Sequence, residues 1–196
     1  MVAQVSFRVS DCPEILVALG ANLPRADETP SATIRAAVES LADEDFRLVA
    51  ASPLYRTPCF PPGAGPDYVN AAAVFCGPDA ASEVLSRLHR VESAFSRERV
   101  ERWGSRTLDL DLLAVGDRVC PDAVTVRQWI DLPLAEQTRA TPEQLILPHP
   151  RLQERGFVLV PLADVAPDWR HPLLDVTVRE MCEALPEEAR AGITRL

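Results

Sequence analysis

Two aspartates and four arginines lie close together in one stretch, Arg97-Glu-Arg-Val-Glu-Arg-Trp-Gly-Ser-Arg-Thr-Leu-Asp-Leu-Asp-Leu-Leu-Ala-Val115. Its second half, from Thr107, alternates polar and apolar residues and then turns wholly apolar, the pattern of a strand. Side chains two apart on a strand share a face, so Asp109 and Asp111 stand side by side while Leu108, Leu110 and Leu112 point to a core. Adjacent carboxylates repel, and the hard cation Mg²⁺, which binds through one or two carboxylates plus substrate phosphates, is their natural counter-ion. Upstream, Arg97, Arg99, Arg102 and Arg106 surround Trp103, with Gly104 to bend the chain. Guanidinium forks match phosphate oxygens, and an indole lies flat over a base or ring. Together these residue types suit a metal–polyphosphate complex: cations on the oxygens and metal between the phosphates.

The elements that must hold this stretch can be read on either side of it. Ile15 to Leu19 reads as a buried strand stopped by Gly20-Ala-Asn22. Thr29 caps a helix with Pro30 at its first position, and Ile34, Ala37, Val38 and Leu41 form its buried face. Phe46 to Ala51 and Tyr68 to Phe75 read as strands, separated by a proline- and glycine-rich loop from Pro58 to Pro66. Asp79 to Phe95 reads as a helix with Val84, Leu85, Leu88, Val91 and Phe95 inward. The order is β-α-β-β-α-β, which predicts an α+β fold: a ferredoxin-like βαββαβ sandwich, its antiparallel sheet covered by helices on one face, with C-terminal additions. In those additions, 124–130 fits a short strand or helix, 145–147 a strand, and Asp175 the cap of a last helix ending at Leu185.

The 196 residues fit one domain, with 1–13 a short extension and 120–143 an excursion of no clean periodicity. All 20 basic residues are arginine, and the net charge of −9 excludes a basic nucleic-acid footprint. Cys12, Cys59, Cys76, Cys120 and Cys182 lack metal-ligand spacing, and their odd number predicts reduced thiols in a cytoplasm. No apolar run is long enough for a membrane span.

Arg102-Trp-Gly-Ser-Arg-Thr-Leu-Asp-Leu-Asp111 resembles the signature of the 6-hydroxymethyl-7,8-dihydropterin pyrophosphokinases. Leu19 to Leu23, Tyr55-Arg-Thr-Pro58, Pro66 to Ala71, Leu147-Pro-His-Pro-Arg151 and Arg155 to Leu159 resemble further motifs of that family, in the right order. The resemblance implies transfer of the β,γ-diphosphate of ATP to the hydroxymethyl group of a dihydropterin in folate biosynthesis, releasing AMP. It also implies two Mg²⁺ ions, small-molecule substrates alone, and a monomer.

By the same resemblance, Asp109 and Asp111 hold the metal, and Arg97 and Arg106 meet the phosphates during transfer. Glu92, Arg99, Arg102, Trp103, Leu112, Ile146, His149 and Arg155 contact ATP. Tyr68 and Phe157 hold the flat pterin, Thr57 and Asn70 meet its edge, and Pro58 and Phe60 form its wall. Gln144 and Ile146 depart from the basic and hydroxylated residues common beside the nucleotide, Glu98 puts a negative charge among the arginines, and 120–143 is longer than the family's connection. No residue stands out as a general base, which transfer through a loose transition state does not require. A silent pterin- or nucleotide-binding module, a ferredoxin-like RNA-binding domain, and a Mg-dependent kinase or nucleotidyltransferase with another acceptor are the competing readings.

Overall fold

A computed structural model describes residues 12–59, 65–95, 107–137 and 139–196. Strand β1 (Glu14–Ala21) is paired on both sides, and its near-continuous apolar run reflects a sheet covered on both faces. Strand β4 (Tyr68–Cys76) runs antiparallel on one flank and β5 (Asp109–Val115) on the other. The outer edge beyond β4 is split. Strand β2 (Arg47–Ala51) pairs with the second half of β4, and β3 (Tyr55–Thr57) pairs with its start. Between them Ser52 exchanges bonds with Ala72: its amide donates to the Ala72 carbonyl at 2.9 Å and its hydroxyl accepts the Ala72 N–H at 3.0 Å. The expected order therefore gains one short strand, because Ser52 and Pro53 interrupt a single edge rather than end it.

Helix α1 (Pro30–Leu41) begins as expected, with Thr29 Oγ1 accepting the Ala32 N–H. It packs with α2 (Ala81–Phe95) on one face of the sheet, over Ile15, Val17, Leu19, Phe46, Phe75 and Leu110. The expectation of helices on that face alone is corrected. Helices α5 (Gly156–Val165) and α6 (Val178–Ala184) cover part of the other face, burying Leu16, Val74 and Leu113 against Val158, Leu159, Leu162 and Met181. Removing this second apolar surface from water is worth roughly 25 cal/mol per Å² and fixes α5 to the sheet.

The excursion folds into α3 (Ala123–Asp131), capped by Asp122, and the short α4 (Leu134–Gln137). Residues 145–147 do not form a strand: Leu147 makes a single bridge to Cys120, with N–H···O distances of 2.8 and 2.9 Å. Asp175 does not cap α6, since its φ of 53° lies in the left-handed region. Thr177 does, in a capping box with Glu180. That helix is not the last element. After it come α7 (Glu187–Arg190) and β6 (Thr194–Arg195), which pairs with β3.

The prediction of five reduced thiols is also corrected. Cys12 and Cys76 form a disulfide, their Cα atoms 5.6 Å apart, because the β1–β4 register sets Glu14 opposite Cys76. Cys59, Cys120 and Cys182 are free and half-buried. Among the described residues no helix is long and apolar enough to cross a membrane.

Candidate active site

The sheet face that carries α5 and α6 changes character along its strands. Towards one end it is core: Leu113 on β5, Leu16 on β1, Ala72 and Val74 on β4. Two residues further along β5 and β4 the same face turns polar. Asp111 and Asp109 follow from Leu113, and Asn70 and Tyr68 from Ala72, since alternate side chains share a face. Gly20 is paired with Asp109 on one side and Asn70 on the other. With strands roughly 4.8 Å apart, the carboxylate and the amide rise on either side of a glycine, about 10 Å from one another at the backbone. A β-carbon on Gly20 would stand 2.9 Å from Asn70 Oδ1, so the glycine makes room for the amide.

Charge gathers at the β5 side. Glu92 projects from α2, and its Oε1 accepts the Leu110 N–H at 2.8 Å, occupying the open edge of β5. Burial raises the Glu92 pKa; the Leu110 bond opposes this, and the charges of Asp109 and Asp111 push it further up. The two aspartates thus act on Glu92 through their charge. Arg155, at the N-cap of α5, answers them, with Nη1 3.6 Å from Asp111 Oδ2. Burial pushes the guanidinium pKa down and Asp111 pulls it back up; an arginine keeps its proton regardless.

His149 lies behind this pair. Its backbone N–H donates to the Leu113 carbonyl at 2.8 Å, fixing it to the end of the β5 core, and its Nδ1 accepts the Arg151 N–H at 3.1 Å. Burial first, and then the charge of Arg155, push the ring down to about 3. The imidazole is therefore neutral, with its proton on Nε2 as a donor.

A cleft of about 460 Å³ opens beside these groups. Arg155, Arg151 and His149 line it with cationic and donor groups, Leu85, Trp129, Pro142 and Ile146 with apolar ones, and Glu143 and Gln144 also line it. A broader depression of about 750 Å³ over Asp45, Ser82, Arg87 and Arg90 shares no residue with this face.

On the β3–β4 side, Asn70 Nδ2 donates to Thr57 Oγ1 at 2.7 Å, both side chains buried. Tyr68 pairs with Thr57 and is half-buried. Phe157, on the first turn of α5, is 42% exposed, unusual for a large aromatic in a well-covered face, and Arg155 lies 5.7 Å from its ring centre. Pro58 is exposed at the end of β3. Gly156 holds this turn close: a β-carbon there would meet the Ala189 carbonyl at 1.8 Å, so only glycine lets α7 buttress the start of α5.

The structure therefore brings together Glu92, Asp109, Asp111 and Arg155, sets His149 and Ile146 along one cleft, and couples Asn70 to Thr57. Leu112 is not on the cleft; it is buried in the first core, as strand alternation requires. Arg97, Arg99, Arg102, Trp103, Arg106 and Phe60 lie outside the described residues. Sequence reasoning passed over Arg151 and Trp129. Arg151 was visible beside His149, but Trp129 carried no signal, since only the fold carries α3 to the cleft.

Asp109 and Asp111, the cleft beside Arg155 and His149, and on the β3–β4 side the Asn70–Thr57 pair make up the candidate site. The sequence model of 7,8-dihydro-6-hydroxymethylpterin-pyrophosphokinase (HPPK) matches residues 16–167, and the chain belongs to that family. A 2-amino-4-hydroxy-6-hydroxymethyldihydropteridine pyrophosphokinase of Pseudomonas aeruginosa is 38% identical over 183 residues, covering 93% of this chain and 96% of that protein. One from Synechocystis is 35% identical over 173 residues, covering 88% of this chain and 76% of the other. Among solved structures, wild-type HPPK-DHPS of Plasmodium falciparum superposes with a TM-score of 0.61 at 14% identity, over 88% of this chain. The chain spans only 44% of that larger protein, and the likeness bears on the fold alone.

Proposed function

We propose that the polar end of the second sheet face is where this pyrophosphokinase carries out its family's reaction, with Mg²⁺ held by Asp109 and Asp111. The reaction is transfer of the pyrophosphoryl group of ATP to the hydroxymethyl oxygen of hydroxymethyldihydropterin, a step of folate biosynthesis. The acceptor oxygen forms a bond to the β-phosphorus and its proton passes to solvent, the bond from that phosphorus to the α,β-bridging oxygen breaks, and AMP leaves. The observation that carries the reading is the shared face: Asp109 and Asp111 point the same way as Asn70, with Gly20 between them.

The residues fit the metal. Asp109 and Asp111 are half-exposed neighbours with Glu92 close behind, a concentration of negative charge that a divalent cation relieves. Among the described residues no cluster of three or more metal-ligating side chains exists, as suits an ion that takes its other ligands from phosphate and water. Bound Mg²⁺ supplies charge neutralisation on the phosphate oxygens. Arg155 and the neutral His149 orient the polyphosphate, one by charge and one through Nε2–H. Arg97 and Arg106 meet charge on the moving diphosphate, while Arg99, Arg102 and Trp103 contact the nucleotide. Thr57 and Asn70 read the pterin edge, with Tyr68, Phe157, Pro58 and Phe60 around its ring.

The test is AMP formation from ATP and the hydroxymethyl dihydropterin, with Mg²⁺ present and after chelation. AMP that appears only with Mg²⁺ is expected. Undiminished turnover after chelation would remove the metal role of the two aspartates.

A further inference from the structure

We infer that α3 is an added wall of the nucleotide cleft, and that Trp129 covers the purine ring of ATP there. The inference rests on the reading of the cleft as the nucleotide site.

Helix α3 is fixed at its base, at its start and along its side. Cys120 and Leu147 close the base of the excursion with two backbone bonds, at 2.8 and 2.9 Å. Asp122 caps the helix, its Oδ1 accepting the Thr125 N–H at 2.9 Å and its Oδ2 the Thr125 hydroxyl at 2.8 Å. Val126 is fully buried, and Arg127 Nη2 donates to the Leu173 carbonyl at 2.8 Å. Trp129 lies three residues beyond Val126 on the helix, so the two share a side, and Trp129 is half-buried in the cleft wall. Leu85 on α2 and the buried Ile146 line the same cleft.

The cleft lining combines the groups a nucleotide engages. Arg151 and Arg155, the latter 3.6 Å from Asp111, supply cations, and Trp129, Leu85, Pro142 and Ile146 supply apolar surface. With triphosphate at the arginines, the base reaches the indole. An aromatic face on a base contributes regardless of base identity. It also substitutes for polar contacts that Gln144 and Ile146 do not provide.

Calorimetric titration with α,β-methylene-ATP and with inorganic tripolyphosphate, both with Mg²⁺, separates base from phosphate. Trp129→Ala should weaken the ATP analogue about tenfold, the size of one base–aromatic stack, and shift tripolyphosphate by less than about twofold. Trp129→Phe should restore most of the loss, and the analogue-induced change in tryptophan emission should shrink in that variant. Wild-type analogue affinity in Trp129→Ala, alongside loss of both ligands in Arg155→Ala, would overturn the wall while leaving the nucleotide site in place. Equal loss of both ligands in Trp129→Ala, not restored by phenylalanine, would reduce Trp129 to a scaffold role. Unchanged binding in both variants would remove the cleft itself as the nucleotide site.

Discussion

Asn70 and Gly20 fit together across adjacent strands: a β-carbon on Gly20 would stand 2.9 Å from Asn70 Oδ1, while Nδ2 donates to Thr57 Oγ1 at 2.7 Å. The amide is thereby held in one orientation, and an oriented amide can pair with both donors and acceptors on a ring edge. Gly20→Ala should push the amide off its partner without opening the core, since the crowded atom is a side-chain end. We expect pterin affinity to fall about tenfold, the cost of roughly one misplaced hydrogen-bonding group, with ATP-analogue binding unchanged. Calorimetry with each ligand checks this, and equal loss of both ligands would contradict it.

Phe157 is the second handle on the acceptor. At 42% exposed it contributes little to the core, so Phe157→Ala should leave the melting temperature within a few degrees of wild type. A ring stacked on it contributes about 0.5–1.5 kcal/mol beyond area burial, so pterin binding should weaken clearly while Mg-ATP binding persists. Thermal collapse of the variant would return Phe157 to a packing role.

The contrast with Gly156 shows what the sequence made legible. The Thr29-Pro30 helix start, the Asp-x-Asp strand and the alternation that sends Leu110 inward are local patterns, and local physics decided them. The disulfide of Cys12 with Cys76, the break at Ser52 and the contact of Gly156 with Ala189 depend on registers set far along the chain. Residues 145–147 looked like a strand because they are apolar; their apolarity serves the core and the cleft instead. The two carboxylates were legible for a simple reason: strand period alone puts them on one face. Their company, Glu92 from α2 and Arg155 from α5, came through the family resemblance and not from spacing.

A pH effect follows from His171, which is fully buried beside Trp169. Its Nδ1 accepts the N–H groups of Leu173 and Leu174, both at 3.2 Å, and protonation there would break both bonds. Burial, with the charge of Arg127 behind it, pushes the ring down to about 4. The unfolded chain takes up this proton near pH 6.5 and the folded chain does not, so acidification favours unfolding between about pH 6.5 and 4. Across that window the cost is at most about 1.4 kcal/mol per pH unit from this group. Melting temperature should fall as pH drops from 7 to 5, with a shallower slope in His171→Asn. Parallel slopes would show that His171 is not responsible.

Gly156→Ala tests how the site is supported from below. The new methyl would meet the Ala189 carbonyl, a backbone atom with no rotamer to change. Either α7 or the start of α5 must move, which should cost on the order of 1–3 kcal/mol and displace Arg155 and Phe157 together. Denaturant unfolding should show the loss, and binding of both ATP analogue and pterin should weaken. A variant with wild-type stability would mean that α7 does not brace the site.

The central claim is that Asp109 and Asp111, side by side on β5, hold the cation on which diphosphate transfer depends. Asn replacements keep shape and hydrogen bonding but remove charge, so the double variant should fold while turnover falls by orders of magnitude. Because the pair acts as one unit, each single variant should lose nearly as much as the double. The deciding measurement is nucleotide product release from Mg-ATP with the hydroxymethyl dihydropterin, in wild type, Asp109→Asn, Asp111→Asn and the double variant. We predict AMP from the wild type and almost none from the folded variants. ADP from the wild type, or ordinary AMP release from the double variant, would contradict the account.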